Sequence, residues 1–333
     1  MNSAALSQAY RSARERAGLI LRERGLIVVS GRERASYLQG LLTNDTVALG
    51  AGQGCYAAYL TPQGRMITDL FVYELGDVIL LAMPRSTKDT VLSRLDQFIF
   101  SEDVQLGDVT DTFASAVVVG PHAGMAVSTA LSMSAAELDA MPLHGNARLP
   151  SVANNPVIVL RVADTGAPGF ELVIAREQMP ALLGRLHDAG VVDVDQDTAD
   201  VLRVEAGVPV FGRDMDEDTI PLEAGIEQQA ISFTKGCYVG QEVIIRVLHR
   251  GHGRVARRLV GLRFETRDVP QAGTALSADG KEIGTITSSA ISPALDRAIA
   301  LGYVKRDFAA PGTSVTTASG APAEVVALPF LPS

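Results

Sequence analysis

The chain of 333 residues has no tryptophan, only two cysteines and an aromatic content of 5%. So few aromatic side chains offer little surface on which nucleobases could stack. The two cysteines, Cys55 and Cys237, lie far apart and form no Cys-x-x-Cys pair, so we expect no disulfide framework. This pattern predicts a reducing, cytoplasmic location.

Long apolar runs and common enzyme motifs are missing as well. No run of about 18 uncharged apolar residues occurs, so we expect no membrane-spanning segment. The N-terminal stretch 1–24 is charged and alanine-rich, without the apolar core of a secretory signal. The sequence contains no Gly-x-Ser-x-Gly, no P-loop and no His-Glu-x-x-His motif. The enzyme classes that these motifs mark are therefore not indicated.

The remaining composition describes a globular protein with excess acid. Hydrophobic residues make up 47% of the chain, and its length predicts two or three domains. There are 29 basic and 38 acidic side chains, a net charge of −9, so we expect no direct nucleic-acid partner. An RNA-binding adaptor that uses a local basic surface is the third and weakest functional hypothesis.

Basic residues concentrate between positions 241 and 258, in a segment that we call the cationic strip. It contains two histidines, the single acid Glu242 and five arginines: Arg246, Arg250, Arg254, Arg257 and Arg258. Such a strip on an acidic protein serves a local anion rather than a long polyanion. A solvated surface face is the alternative interpretation.

Segment 235–242 reads Lys-Gly-Cys-Tyr-Val-Gly-Gln-Glu and directly precedes an apolar, helix-like run. The ammonium of Lys235, backbone N–H groups left open by glycine and the positive end of a helix dipole would all favour a thiolate at Cys237. A thiolate attacks electrophiles or binds metal. The alternative is a small buried residue in a tight turn.

A metal site at this cysteine is not expected. His249 and His252 could join Cys237, but a fourth ligand is missing nearby, and this histidine spacing is not an established one.

Three further patterns supply candidate binding residues. Asp69 lies on the strand returning from a Thr-Pro-Gln-Gly turn, where it could pair with a protonated ligand nitrogen or face water at a sheet edge. Glu171 begins a strand after a glycine-rich turn that lets backbone approach a flat ligand. Arg203 and Glu205 are two apart on a helix and point in different directions, so each needs another partner. A structural salt bridge is the alternative to a binding role for them.

Strand and helix patterns alternate through the first part of the chain, which indicates an α+β fold. Residues 7–24 read as one helix that stops at Gly25. Beyond Gly253, short strands punctuated by glycine and proline predict a small all-β barrel or sandwich of about 80 residues. Asp279-Gly280 is a good hairpin turn within it.

Together these segments resemble the folate-binding family that includes the glycine-cleavage T-protein, an aminomethyltransferase, and its YgfZ-type relatives. The resemblance covers nearly the whole chain, and the string at 235–242 is specific to the YgfZ-type branch. It rests also on Arg203-x-Glu205-x-Gly207-x-Pro209 with Gly212 and Asp214, on Ile220-Pro221-Leu222-Glu223, and on Ile286-Thr287-Ser288, Ser292-Pro293 and residues 298–304 in the tail.

The resemblance implies a three-lobed, aminomethyltransferase-like α+β fold with a C-terminal β-barrel and a central hole for tetrahydrofolate. The lobes would be 1–110, which binds folate, 111–253, which carries the Lys-Gly-Cys-Tyr string, and 254–333, the barrel. By family position, Asp69, Glu171, Arg203 and Glu205 would line the folate pocket. We also expect Lys235 and Tyr238 to bind the cofactor, and its glutamate tail to reach arginines such as Arg246 or Arg254, since their bidentate geometry suits carboxylates.

The resemblance also implies a function. The protein would be a monomer that binds tetrahydrofolate and assists iron–sulfur cluster assembly or maintenance in client proteins, with a linked effect on tRNA thiomodification. Cys237 would act as a functional thiolate. The alternative is a folate-dependent aminomethyltransferase or demethylase, in which Asp69 orients the reactive nitrogen of the ligand.

The chain departs from T-proteins in two places. T-proteins carry two adjacent aspartates where this chain has Thr68-Asp69. Their His-Gly and Met-Pro elements before the first strand have no counterpart in residues 1–30.

Overall fold

The computed structural model describes residues 3–152, 155–249 and 254–331. The framework consists of a five-stranded sheet, a six-stranded sheet and a closed barrel. The helices in these ranges are α1 (Ser3–Glu15), α2 (Arg34–Gln39), α3 (Lys88–Asp96), α4 (Ala123–Leu131), α5 (Ala135–Asp139), α6 (Met179–Asp188), α7 (Gln196–Glu205), α8 (Pro221–Ala224), α9 (Glu227–Ala230) and α10 (Gln241–His249).

The strands are β1 (Gly18–Arg22), β2 (Arg24–Ser30), β3 (Gly54–Leu60), β4 (Met66–Glu74), β5 (Ile79–Pro84), β6 (Gln105–Asp108), β7 (Phe113–Val119), β8 (Asn146–Val152), β9 (Asn155–Val162), β10 (Gly169–Ala175), β11 (Val192–Asp193), β12 (Arg257–Phe264), β13 (Ala275–Ala278), β14 (Lys281–Ser292), β15 (Arg297–Lys305), β16 (Ser314–Thr317) and β17 (Pro322–Val326). Within the described ranges, no helix is both long and apolar enough to cross a membrane.

The five-stranded sheet has the order β3-β4-β5-β2-β6 and is antiparallel throughout. Side chains alternate between the two faces of a strand, so β4 has two different faces. Leu70 and Val72 belong to the buried cluster that also contains Val91 and Leu95 of α3. Asp69, Phe71 and Tyr73 therefore lie on the opposite face of the strand.

The six-stranded sheet has the order β11-β1-β7-β10-β9-β8. Strand β10 packs Phe170 and Leu172 into a cluster with helices α4 and α6. Its Val173 joins Tyr73 of the five-stranded sheet in a central cluster. The inner faces of the two sheets therefore meet, and Glu171 lies on the same face of β10 as Val173.

The prediction of one helix over residues 7–24 is wrong in its second half, because α1 ends at Glu15 and β1 begins at Gly18. A Cβ atom on Gly18 would come within 2.6 Å of Val194, so glycine permits this close approach. Strand β1 then pairs with β7 and β11 in the six-stranded sheet. The N-terminal segment thus contributes a strand to the second sheet, while the lobe boundaries at 110 and 253 stay a prediction.

The predicted C-terminal barrel is confirmed. Its strands close in the order β12-β15-β14-β13-β16-β17. Asp279 and Gly280 both have positive φ, 50° and 71°, and connect β13 to β14 as the hairpin signal predicts. Strand β16 was not predicted, because its four residues, Ser-Val-Thr-Thr, are too few and too polar to stand out.

Candidate functional site

A group of charged, polar and aromatic side chains lies where the two sheets face each other. We call it the inter-sheet cluster. Electrostatic contacts, hydrogen bonds and ring contacts connect its members: Arg22, Arg24, Tyr56, Asp69, Phe71, Tyr73, His144, Asp164 and Glu171.

Four of these residues form a closed ion network. The Arg22 guanidinium lies 2.5 Å from Asp164 and 3.3 Å from Glu171, and that of Arg24 lies 3.3 Å from each. Glu171 is only 1% exposed. Burial by itself would raise the pKa of both carboxyl groups, but the two arginines outweigh it and hold both pKa values below their ordinary values.

Glu171, a predicted folate ligand, is therefore occupied as a counter-ion. Its Oε2 accepts from Arg22 and Arg24, and its Oε1 accepts from Nε of Arg24. A direct contact of Glu171 with folate stays a prediction.

Asp69 is differently placed. The Tyr56 hydroxyl donates to its Oδ2 at 2.8 Å, whereas its buried Oδ1 has no hydrogen-bond partner among the described residues. Burial raises the pKa of Asp69, and the Tyr56 hydrogen bond and the Arg24 charge only partly offset this effect. A buried carboxylate oxygen without a donor is costly, so Oδ1 is suited to an N–H group of a ligand.

Three other polar atoms of the cluster share this property. The Tyr73 hydroxyl, Nδ1 of His144 and Oδ1 of Asp164 are buried and have no partner within the described ranges. Phe71 lies among them, with ring centroids 6.2 Å from Tyr73 and 5.4 Å from His144, and the Arg24 guanidinium lies 5.0 Å from its centroid. Unpartnered polar atoms around an aromatic ring are the expected lining of a site for a flat, polar ligand.

His144 supplies a pH prediction. Burial lowers the pKa of His144 from 6.5 to about 4, and the nearby Asp164 charge offsets this only in part. Between pH 6.5 and 4 the unfolded chain therefore binds a proton here that the folded chain does not, so His144 makes stability fall as the pH falls through this window. In urea unfolding at pH 7.5, 6.0 and 5.0, we expect His144→Asn to lose less stability than the native protein. The carboxyl groups titrate in both proteins and therefore cancel in the comparison. If the free energy of unfolding fell equally with pH in both proteins, the expectation would be contradicted.

Arg203 and Glu205 bind separate partners, as predicted. Arg203 forms 2.7 Å ion pairs with Asp200 and Asp214 and donates to Ser288 of the barrel at 2.9 Å. The carboxylate of Glu205, which is fully buried, accepts from other residues: Tyr10 at 2.8 and 2.9 Å, and Ser292 at 2.5 Å. These contacts connect α7 to α1 and the barrel. A role for either residue in folate binding stays a prediction.

The segment 235–242 is anchored by its lysine. Lys235 Nζ donates to three backbone carbonyls, those of Gln39 and Leu42 at 2.6 Å and Asn44 at 2.9 Å. These bonds use all three ammonium donors, so Lys235 has none left for a thiolate or for folate. Burial lowers the pKa of Lys235 to about 8. Lys235 therefore holds the segment against the end of α2.

Cys237 is exposed on this anchored segment, so the alternative of a small buried residue is wrong. The ring of Tyr238, by contrast, is buried in the cluster that contains Tyr56 and Met66. The segment also contacts the hairpin before β4, because a Cβ atom on Gly240 would come within 2.6 Å of the Thr61 carbonyl. Cys237 is thus presented to solvent by a loop that packs on the hairpin leading to Asp69.

The cationic strip is only partly described, since Arg250 and His252 lie outside the described residues. Arg246 and Arg254 are exposed. Arg257 pairs with Glu223 at 3.1 Å and lies over the Tyr303 ring. The proposed contact of Arg246 and Arg254 with a folate tail stays a prediction.

Two facing sheets and a closed barrel place the protein in the class of three-lobed T-protein folds. The chain matches the GCVT N-terminal domain over residues 2–235 and the glycine cleavage T-protein C-terminal barrel domain over residues 257–331. It therefore belongs to the glycine-cleavage T-protein family. The family expectation and the fold class are confirmed, as is tetrahydrofolate as the cofactor of this family.

Similar proteins include two curated relatives named aminomethyltransferase. That of Rubrobacter xylanophilus is 31% identical over 330 residues, covering 98% of this chain and 86% of the relative. That of Streptomyces coelicolor is 33% identical, covering 96% and 87%. The glycine cleavage system aminomethyltransferase T of Bartonella henselae has a TM-score of 0.88 at 25% identity, covering 98% of this chain and 90% of that one. Assignment to the YgfZ-type branch stays a prediction.

Proposed function

We propose that this protein binds tetrahydrofolate between its two sheets and acts as a folate-dependent transferase of the aminomethyltransferase type. The observation that carries this proposal is the buried, unpartnered Oδ1 of Asp69, whose carboxylate is hydrogen-bonded to Tyr56, the ring neighbour of Phe71. Two relatives that match nearly the whole chain are named aminomethyltransferase. They support a transferase function more directly than they support a function in iron–sulfur cluster assembly.

The residues of the inter-sheet cluster fit a reduced pterin. Its flat ring carries several N–H donors, which suit carboxylate acceptors, and a ring carbonyl, which suits a hydroxyl donor. Asp69 would accept from an N–H group, and Tyr73 could donate to the carbonyl. Bound tetrahydrofolate would supply the nitrogen that receives the one-carbon unit.

Asp69 has the chemistry to hold or release a proton at that nitrogen. Its raised pKa makes the carboxylate a stronger base than an ordinary aspartate. The Tyr56 hydrogen bond fixes the orientation of the carboxylate and leaves Oδ1 as the free acceptor. Arg24, held by Asp164 and Glu171, keeps a positive charge near it.

The proposed function has two direct tests. Calorimetric titration with tetrahydrofolate should give one site per chain, and absence of binding would contradict the proposal. Transfer should release ammonia and a free thiol from an aminomethyl thioether only when tetrahydrofolate is present. Folate binding without ammonia release would support the folate site but contradict the transferase activity.

A second candidate function, assistance in iron–sulfur cluster maintenance with Cys237 as thiolate, keeps one supporting observation: Cys237 is exposed on a well-anchored loop. The candidates differ in the expected effect of Cys237→Ala. Under the transferase function, ammonia release should be nearly unchanged. Under the iron–sulfur function, client enzymes should lose cluster content although folate affinity persists. The location in the cytoplasm, the monomeric state and the link to tRNA thiomodification stay predictions.

The accessibility of Cys237 can be checked directly. We expect a thiol reagent at pH 8 to label one cysteine per native chain, because Cys237 is exposed, whereas burial raises the pKa of Cys55 to about 12. Denatured protein should show both thiols. The Cys237→Ala variant is the control and should show none until it unfolds. Rapid labelling of the native variant would contradict the assignment.

A further inference from the structure

His144 lies in the inter-sheet cluster, but it belongs to no sequence motif and has no part in the chemistry proposed above. Its backbone φ is 63°, in the left-handed region that non-glycine residues seldom occupy. The conformation is held from both sides. The His144 N–H donates to the Arg161 carbonyl of β9 at 3.0 Å, and a Cβ atom on Gly54 of β3 would come within 2.5 Å of the His144 carbonyl.

Such a conformation costs free energy and persists only where the surroundings enforce it, and residues of this kind are concentrated at functional sites. Here the two neighbouring strands come from different sheets. His144 is therefore fixed at the junction of the two sheets, next to the space that we assign to folate.

The contacts of the imidazole place it inside the inter-sheet cluster. Its ring packs on Phe71 at a centroid distance of 5.4 Å with an interplanar angle of 48°. Its Nδ1 is buried without a hydrogen-bond partner among the described residues, and the Asp164 charge is close enough to act on it. An unpartnered ring nitrogen in this position has no structural function in the ligand-free protein.

We propose that His144 is a folate-contacting residue whose Nδ1 hydrogen-bonds the bound pterin and fixes its orientation against Phe71. This inference rests on the proposed folate site. A neutral imidazole can accept or donate at Nδ1, depending on its tautomer, which a carboxylate cannot do. Burial keeps the imidazole neutral at physiological pH, since its pKa is lowered to about 4. His144 would therefore complement Asp69, whose carboxylate can only accept.

Two substitutions separate the ring from its nitrogen. His144→Phe keeps an aromatic ring against Phe71 and removes the nitrogen. His144→Asn removes the ring but keeps a polar atom near the position of Nδ1, and asparagine tolerates positive φ. By calorimetric titration with tetrahydrofolate, we expect His144→Phe to bind at least about tenfold more weakly, the effect of one lost hydrogen bond, and His144→Asn to stay within about threefold of the native protein.

Equal affinities of His144→Phe and the native protein would overturn the proposal, as would a larger loss in His144→Asn than in His144→Phe. If native protein binds no tetrahydrofolate, the proposed function itself fails, which is a separate outcome. If His144→Phe does not fold, the proposal is tested by nitrogen NMR of the native protein with isotope-labelled histidine. The signal missing in His144→Asn belongs to His144, and it must shift when tetrahydrofolate is added. An unshifted signal in the presence of bound folate would overturn the proposal.

Discussion

Replacement of Glu171 by alanine is expected to lower the free energy of unfolding by about 3–5 kcal/mol, as when one partner of a buried ion pair is removed. Glu171 is 1% exposed and accepts from both Arg22 and Arg24, whose side chains are 18% and 12% exposed. Without it, Asp164 alone would balance two buried guanidinium groups. Urea unfolding at pH 7 measures the effect.

Asp111→Ala is the matched control for this prediction. Asp111 also pairs with an arginine, Arg85 at 2.7 Å, but the two side chains are 84% and 44% exposed. Its loss should leave the free energy of unfolding nearly unchanged, because solvent screens exposed ion pairs. If Glu171→Ala were as stable as Asp111→Ala but failed to bind folate, Glu171 would be a ligand residue rather than a counter-ion.

Replacement of Asp69 by asparagine is expected to weaken tetrahydrofolate binding by roughly 10–100-fold, the effect of one lost charge-assisted hydrogen bond. The same substitution should raise stability slightly, because burial raises the pKa of Asp69 and its charged form is unfavourable in the empty site. Opposite effects on binding and stability are typical of a residue that serves function. Calorimetric titration and urea unfolding test the two parts.

Tyr56→Phe is the control for Asp69→Asn. It removes the 2.8 Å hydrogen bond to Oδ2 but leaves the carboxylate and its free Oδ1. We expect a smaller loss of affinity, together with a further rise in the pKa of Asp69. Equal affinities of Asp69→Asn and native protein would place the pterin away from Asp69.

Local sequence signals predicted the parts of the fold that depend on short-range chemistry. Asp279-Gly280 formed its hairpin because both residues tolerate positive φ. Asp69 lies on the returning strand of the predicted hairpin, with apolar neighbours on the other face of that strand. Strand β1 was missed because its pairing with β7 and β11 is decided by segments about 100 or more residues away.

The site depends even more on distant contacts. Lys235 lies only two positions before Cys237 in the motif, yet its ammonium binds carbonyls more than 190 positions earlier in the chain. Glu171 and Asp164 meet arginines 140–149 positions away, so no local pattern could show that their charges are neutralised. His144 carried no motif at all. Its role depends on a backbone conformation that two sheets impose.

The central claim is that the space between the two sheets holds the pterin of tetrahydrofolate. A crystal structure of the complex tests this claim most directly. The pterin should lie beside Phe71, with a ring N–H within about 2.7–3.2 Å of Oδ1 of Asp69. A pterin bound elsewhere, for example in the surface groove lined by Leu21 and His187, with Oδ1 of Asp69 still unpartnered, would contradict it.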